Sequence, residues 1–461
     1  MILPLLAAVL GIVAFLPFNF YPLAFIFLIP LFLFFLREEK LWRLVLGTAL
    51  FRIIFLFGTV YFTLEPILWT EVILIFLGLP FSVFLFKKFT NKTTSALPML
   101  IFLPFAWTFF DLLQAHFALI PTYIITAGNA LGSSPFVGLA NIGGFLILTF
   151  FVAFINILIS AAILQRKNSK NNILSVALIF IILFFSWGMS RFNLYKNSLA
   201  YNALPNSFTI ISVSTDNTFT IDSSNELIKE LSKQKVDLII FPENIFDQQQ
   251  NSDLIFQNTA RELNTYVLTS YDTFQNENKY NSSILFDPEG NITNMHNKNR
   301  LTFIGEYWPF GNWQPSIYKW LREKNPEISD YAIFNPQNAD IPGERNLLSI
   351  TFQKNMAFFA TPICLEIHYP SDLKEYLNKG AQFIINPTSN RWIGLGSYHF
   401  SYLTSNLKKI EAVWLKLPIV SSGVKDFAGI ILPNGEAQLV NYENGEKNNK
   451  NYVIFFGKIK Y

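Results

Sequence analysis

The sequence predicts two architectures in one chain: an α-helical membrane bundle of about seven spans, followed by an α/β sandwich domain. Three observations predict this. Charged residues make up 15% of the 461 positions, against about 25% in an average soluble protein. The shortfall is uneven, because residues 1–190 carry their charges in short islands, whereas from Arg191 onward the composition is that of a soluble domain. The apolar pattern also changes there, from long continuous runs to short β-type runs alternating with amphipathic stretches. We therefore divide the chain into a bundle (1–190), a polar linker (191–207), an α/β domain (208–440) and a tail with one strand (441–461).

Crossing a bilayer takes roughly 20 apolar residues, and about 17 suffice. Seven segments fit: 1–18, 21–36, 44–64, 67–85, 96–113, 136–164 and 173–187. The first lacks the basic start of a signal peptide and runs through Pro17 into a second apolar run, so it is read as a helix. Basic residues set the orientation. Arg37, Lys40 and Arg43 lie between the second and third segments, Lys87, Lys88 and Lys92 between the fourth and fifth, and Arg166, Lys167 and Lys170 between the sixth and seventh. The alternate loops, around Asn19, Glu65 and 111–135, hold no Lys or Arg. This predicts a cytoplasmic N-terminus and an extracytoplasmic second domain. The 49 phenylalanines suit lipid-facing surface, although an A+T-rich coding sequence would enrich Phe as well.

Charge inside the spans is sparse. Arg52 is expected to snorkel toward the cytoplasmic face, and Glu71 lies near the outer end, so an ion or proton pathway is a poor reading. The apolar segment 116–144, broken by Pro121, Gly128, Gly132 and Pro135, is expected to lie in the headgroup layer as an outer-face loop, if it is not a mere connector.

In the second half, strands are expected at 208–213, 236–241, 266–270, 282–286, 355–360 and 383–386, with helices at 223–234, 369–379 and 401–417. The turn Asp287-Pro288-Glu289-Gly290 ends one strand, and 418–422 with 429–432 forms a hairpin. Alternating β and α elements with inserted hairpins make an α/β sandwich. Such folds place their chemistry at the C-terminal ends of strands. Three residues stand out there: Glu243 in Phe241-Pro242-Glu243, Lys298 after the hairpin, and Cys364 in Pro362-Ile363-Cys364-Leu365-Glu366. Cys364 is the sole cysteine, which excludes an intramolecular disulfide and, with four scattered histidines, a zinc site. A net charge of +3 is too small to draw nucleic acid.

A Pro-Glu after an apolar strand, then Lys, then Ile-Cys-x-Glu, resembles the nitrilase (carbon–nitrogen hydrolase) superfamily. Lys298-Asn299-Arg300-Leu301-Thr302-Phe303-Ile304-Gly305-Glu306-Tyr307-Trp308-Pro309 resembles, with Lys and Glu at the same spacing, the Lys-x-x-Leu-Val-Pro-Phe-Gly-Glu-Tyr-x-Pro motif of the apolipoprotein N-acyltransferases, the members with an N-terminal membrane bundle. Ser389-Asn390-Arg391-Trp392-Ile393-Gly394 is similar to the family's Asn-Asp-x-Trp-Phe-Gly, and Pro17-Phe18 and Gly138-Leu139-Ala140 match in the membrane half. The resemblance implies an α-β-β-α nitrilase-like sandwich and a Glu243–Lys298–Cys364 triad.

The residue chemistry agrees with that implication. A free thiol, with a pKa of about 8.5, is mostly protonated at neutral pH, so a carboxylate in reach must take its proton and later return it. Glu243 fits that task. Lys298 and the backbone N–H of Leu365 would hold a tetrahedral oxyanion. By resemblance Glu306 supports the base and Glu366 fixes the nucleophile loop, while Tyr307, Trp308 and Trp392 are expected on the substrate side, with residues 308–331 as a cover. The implied reaction moves an acyl chain from a phospholipid, through a Cys364 thioester, to a diacylglyceryl lipoprotein at the bacterial inner membrane. No cofactor or metal is implied. A membrane-anchored amidase acting on a small amide and an inactive lipid or lipoprotein binder remain open.

Three places depart from the family pattern. The family ends in an eighth helix, whereas the strand expected at 452–456 is too short to span. Residues 411–418 keep only Ala412 and Pro418 of the family's Arg-Ala-x-Glu-x-Gly-Arg-Pro, and Asn-Thr-Gly falls on Val424-Lys425-Asp426. The Gln-Gly-Asn-Ile-like domain start is here 212–217.

Overall fold

The computed structural model describes residues 1–461 other than 16–19, 60–67, 91–96, 118–122, 165–166, 197–206, 219–220, 247–251, 304, 309, 312, 314–315, 317–319, 321–322, 324–338, 353–354, 442–451 and 461. The chain divides into two compact units. The first comprises Met1–Asn202, Ile393–Lys416 and Leu432–Glu436; the second comprises Ala203–Trp392, Leu417–Ile431 and Ala437–Tyr461.

The first unit is helical: α1 (Ile2–Phe15), α2 (Ile29–Arg37), α3 (Leu41–Thr59), α4 (Leu68–Phe89), α5 (Leu97–Phe117), α6 (Ala140–Leu164) and α7 (Lys167–Lys196). On α1, Ala7, Ala8, Gly11 and Ala14 are buried, while Ile2, Leu5, Leu6, Val9 and Val13 are exposed. Small residues inward and large apolar residues outward is the reverse of a soluble helix. It is the pattern of helices that pack closely in lipid, where burying apolar surface gains nothing. Among the described residues three helices, Leu41–Thr59, Pro98–Phe117 and Pro135–Leu164, are long and apolar enough to cross a membrane. Ile2–Phe15, Tyr21–Arg37 and Val176–Ser190 are apolar but shorter. The protein is a membrane protein.

Three expectations about this half are corrected. Arg52 does not snorkel: it is 2% exposed and pairs with Asp111 at 3.9 Å. Asp111 is not in a loop either, because α5 runs on to Phe117. Nor do most of residues 123–139 of the expected outer-face loop lie exposed. Beyond α5 they make 3-10 turns at Tyr123–Ile125, Ala127–Leu131 and Pro135–Leu139, and all of Ala127–Leu131 is buried. Irregular backbone survives in an apolar interior only when its polar groups are satisfied. Here Asp111 Oδ2 accepts from Ala127 N at 2.8 Å, and Asn129 Nδ2 donates to the carbonyls of Ile124 and Leu403 at 2.7 and 3.1 Å. Leu403 belongs to α11 (Ser397–Leu415), which packs with this unit although the sequence reading assigns it to the α/β domain. Gly132 permits that contact, since a Cβ there would lie 2.6 Å from the Asn406 carbonyl oxygen. Arg52→Met would leave Asp111 buried without its cation. It is expected to destabilise the detergent-solubilised protein by about 3–5 kcal/mol, read by thermal unfolding; unchanged stability would show the pair to be inert.

The second unit is α/β, as expected. Its strands are β1 (Ser207–Thr215), β2 (Leu238–Glu243), β3 (Tyr266–Gln275), β4 (Asn278–Phe286), β5 (Ile292–Asn297), β6 (Leu348–Phe352), β7 (Asn355–Ala360), β8 (Phe383–Ser389), β9 (Ile419–Val424), β10 (Ala428–Ile431), β11 (Ala437–Val440) and β12 (Tyr452–Lys460). They form one continuous twelve-stranded sheet, in the order β5-β4-β3-β2-β1-β9-β8-β7-β6, with β10 and β11 beyond β9 and β12 on β1. The strands expected as two layers thus share one hydrogen-bonded path. The helices are α8 (Ile221–Leu231), α9 (Ser252–Leu263) and α10 (Pro370–Asn378). Leu227 and Leu231, four apart on α8, pack with Phe256 of α9 onto Ile211, Ile239, Val267 and Phe286 of the sheet.

The topology positions the site. Strands β1, β2 and β3 are mutually parallel, as are β9, β8 and β7, and β1 joins the two sets in parallel. Strand β5 reverses twice from β3 and so points the same way. The C-terminal ends of β2, β5, β7 and β8 therefore meet at one edge of the sheet.

Candidate active site

Glu243 is the last residue of β2, Lys298 follows β5, Cys364 comes four residues after β7, and Ser389 ends β8. All four converge at that edge in one hydrogen-bonded cluster. Glu243 Oε1 lies 3.8 Å from Lys298 Nζ and accepts from Asn281 Nδ2 at 2.7 Å, while its Oε2 accepts from Ser389 N at 3.0 Å. The Cys364 thiol donates to the Ser389 carbonyl at 3.9 Å, so Ser389 links it to Glu243 through its own backbone N–H, and the Glu243 charge is close enough to act on the thiol. Lys298 Nζ donates to Glu306 Oε1 at 2.6 Å, and Asn281 Nδ2 also reaches that oxygen at 3.0 Å. Thr302 N donates to the other Glu306 oxygen at 2.7 Å. Glu243, Lys298 and Cys364 are all buried.

The electrostatics follow from two carboxylates, one ammonium and one thiol in a nearly dry site. Burial pushes the Glu243 carboxyl up, and the Glu306 charge adds to that against the pull of Lys298. The Lys298 ammonium is penalised by burial, yet Glu306 and Glu243 hold it well above the ordinary lysine value. Glu306 is also opposed by burial, but Lys298 and the Thr302 amide keep it below the usual carboxylate range. Burial and the Glu243 charge push the Cys364 thiol well up. The resting site is therefore a neutral thiol near a carboxylate whose proton affinity is raised, beside a fixed ammonium. Raising Glu243 makes it a better base than an ordinary carboxylate, and Lys298 favours negative charge wherever it develops nearby.

Cys364 has φ +50°, a left-handed conformation that costs a non-glycine residue on the order of 1–2 kcal/mol. The surroundings hold it there. It opens a 3-10 turn, Cys364–His368, whose Glu366 carboxylate accepts from Ile363 N at 2.8 Å. The same carboxylate accepts from Asn299 N at 2.7 Å and Arg300 N at 3.0 Å, and meets His296 Nε2 at 3.2 Å. One buried side chain thus ties the turn carrying Cys364 to the segment carrying Lys298. Burial opposes the Glu366 charge, but His296 and the backbone amides outweigh it and hold the carboxyl below the usual range. A depressed folded-state pKa contributes stability above the unfolded value, lost as pH falls through the folded one. Glu366→Gln is accordingly expected to destabilise by about 1–3 kcal/mol at pH 7, with the difference closing below about pH 4. Thermal unfolding at both pH values checks this, and a gap that widens on acidification would contradict it.

Leu365 is the second residue of that turn and is buried. The remaining expected residues fall differently. Tyr307 is 45% exposed and makes a backbone bridge to Phe303. Trp308 stacks on Trp313 and donates to its carbonyl at 2.8 Å. Trp392 is half-buried in the 3-10 turn Arg391–Gly396. Most of 308–331, the expected cover, lies outside the described residues.

Sequence reasoning missed Asn281, which bridges the two carboxylates; Ser389, whose backbone contacts both Glu243 and Cys364; and Asn386, whose Nδ2 donates to the carbonyls of Pro362 and Cys364 at 2.8 and 3.2 Å. Asn281 and Asn386 carried a signal. Asparagine is disfavoured in strands, yet each sits in an otherwise buried β run. Among the described residues no group of three His, Cys, Asp or Glu side chains is arranged to hold a metal ion.

Residues 203–409 match the carbon–nitrogen hydrolase family model, and residues 7–158 match that of the apolipoprotein N-acyltransferase N-terminal domain. An apolipoprotein N-acyltransferase of Haemophilus influenzae is 24% identical over 91% of this chain and 82% of its own length. One from Treponema denticola is 22% identical, over 44% of this chain and 39% of that protein; two further relatives of that name are matched over 37% and 44% of theirs. A carbon–nitrogen hydrolase from Helicobacter pylori superposes with a TM-score of 0.38 at 14% identity, over 54% of this chain and 89% of that one. Residues 203–409 thus match a carbon–nitrogen hydrolase domain, and over most of its length the chain is similar to the apolipoprotein N-acyltransferases.

Proposed function

We propose that this protein transfers a fatty acyl chain from a phospholipid to the α-amino group of a diacylglyceryl-cysteine lipoprotein, with Cys364 as the nucleophile. The observation that carries the reading is the convergence of one thiol, one carboxylate and one ammonium, all buried, at the C-terminal edge of the sheet, in a chain whose other half is rich in apolar helices.

In the first half-reaction Glu243 takes the Cys364 proton as sulfur attacks the ester carbonyl. Lys298, with the N–H of Leu365, stabilises the oxyanion. The carbon–oxygen bond then breaks, Glu243 returns the proton to the departing alkoxide, and lysophospholipid leaves a Cys364 thioester. In the second half the lipoprotein amine attacks the thioester, Glu243 takes its proton, and the sulfur departs and is reprotonated. Glu306 keeps Lys298 charged and in place throughout, and Glu366 holds the two loops together. Basic loops at 37–43 and 87–92 support an inner-membrane topology of seven spans, with the N-terminus cytoplasmic and the α/β domain outside.

Incubating the purified protein with a phospholipid of defined acyl length tests this directly. Intact mass should rise by one acyl group on Cys364, and neutral hydroxylamine should remove it. Release of ammonia from small amides, without any such adduct, would make the protein an amidase instead.

A further inference from the structure

The loop from Lys298 to Glu306 is held from outside by a four-residue strap, Asp340-Ile341-Pro342-Gly343. Asp340 N donates to the Glu306 carbonyl, Ile341 N to the Lys279 carbonyl and Gly343 N to the Lys298 carbonyl, each at 2.9 Å. Both charged residues that face each other in the site are therefore fastened, through their backbones, to the same short segment. The approach is close: a Cβ on Gly343 would lie 2.3 Å from the Asn297 Cβ and 2.6 Å from its carbonyl oxygen. Asn299 Nδ2 donates to the Gly343 carbonyl, closing the strap from the loop side.

The side chain of Asp340 anchors the strap to the sheet. Its Oδ1 lies 3.1 Å from Lys279 Nζ on β4, and the same ammonium is 3.0 Å from Asp272 Oδ2 on β3. Lys279 and Asn281 are two residues apart on β4 and so share a face of the strand. The strand that presents Asn281 to Glu243 and Glu306 thus also presents the cation that Asp340 grips.

We propose that Asp340 is a positioning residue, whose ion pair with Lys279 keeps the strap closed on Lys298 and Glu306 and so holds the ammonium beside the thiol. This rests on Lys298 and Cys364 doing the chemistry. Asp340 touches no reacting atom. Three charged groups face its carboxyl: Lys279 of β4, Asp272 of β3 and Glu306 of the loop. Burial raises it, Lys279 opposes, Glu306 and Asp272 add to the rise, and the result is about 7. The ion pair therefore forms as pH rises through neutrality. A raised carboxyl pKa means that folding favours the protonated form, so ionisation of Asp340 costs stability as pH rises from the unfolded value toward 7. Positioning and stability then run in opposite directions, and this separates the proposal from a merely structural role.

Cys364 is the sole cysteine, so iodoacetamide labels one site and needs no acyl donor. With the full-length protein in detergent, the wild-type rate of alkylation is expected to climb through pH 7. Asp340→Asn should label about tenfold more slowly at pH 8, by loosening a geometry in which small displacements are costly, should lack the step near pH 7, and should melt no lower than wild type at pH 8. Asp340→Glu should regain the step, and Lys279→Gln, which breaks the pair from the other side, should also label slowly and lack the step near pH 7, but with a lower melting temperature, because it leaves Asp340 and Asp272 without their cation. Labelling by Asp340→Asn that superposes on wild type across pH overturns the proposal. So does a lower rate that keeps the step and tracks a lower melting temperature. Altered labelling without any acyl adduct in the wild type would leave the strap standing while removing the acyltransferase reading.

Discussion

Serine in place of Cys364 is expected to leave lipoproteins without their N-linked acyl chain. Cells whose only source of this activity is the Cys364→Ser variant should yield lipoprotein N-terminal peptides lighter by one fatty acyl group, as read by mass spectrometry. The rate should drop by at least about three orders of magnitude, the scale on which removal of a nucleophile acts. Serine preserves the size and the left-handed turn, so the loss would be chemical and not structural. A hydroxyl ionises far less readily than a thiol. In a site where burial and the Glu243 charge already push even the thiol well above its ordinary value, Lys298 cannot make up that difference. The same substitution should abolish the hydroxylamine-labile adduct. If lipoproteins from such cells keep their N-acyl chain, transfer does not run through this sulfur.

Why the three central residues were legible lies in where they stand. Glu243 is a carboxylate directly after a run of buried β residues, and Cys364 is the lone thiol at a strand-to-turn junction. A charged or reactive group at such a place has no role in packing, so its oddness is visible in one dimension. Asn281 and Asn386 are less conspicuous, because an uncharged amide in a strand is a mild anomaly. Their function depends on which strands become neighbours. Asn281 reaches Glu243 only because β4 follows β3, and β3 lies beside β2. Ser389 acts through its backbone, which no side-chain pattern encodes.

The membrane half failed differently. Hydropathy located the apolar runs but could not tell a charge bound for the headgroups from one bound for another helix. Arg52 and Asp111 are far apart in sequence, and each alone reads as a residue seeking water. Together they are a buried pair, and Asp111 Oδ2 additionally satisfies the irregular backbone at Ala127. The glycines and prolines of 121–135 suggest loop chemistry, yet Gly132 serves close packing against Asn406. Composition reports that the backbone bends, not whether the bend is inside or outside. The same blindness to tertiary neighbours hides that α11, which the carbon–nitrogen hydrolase match enters as far as residue 409, packs with the helical unit.

Lys298→Met should be the most damaging substitution that leaves the thiol intact, and its signature lies in how activity and stability change with pH. Among the described residues the ammonium is the one cation within 4 Å of both Glu243 and Glu306. Without it the buried Glu243 and the part-buried Glu306 share Asn281 as their common donor, and both cannot stay ionised at that separation. Loss of a group that holds the oxyanion is expected to lower kcat by about a hundred- to a thousandfold, measured as the first-order rate of Cys364 acylation. Breaking a buried pair from one side is expected to cost about 3–5 kcal/mol of stability near pH 7. The pH dependence follows from Glu306, whose carboxyl Lys298 holds below its ordinary value. That interaction contributes fully above the unfolded carboxylate pKa and disappears as pH falls through the folded one. The gap in melting temperature between wild type and variant should therefore be wide at pH 7 and narrow toward pH 4. An ammonium that only filled space would give a gap independent of pH and an acylation rate within a few-fold of wild type, and either result would remove Lys298 from the chemistry.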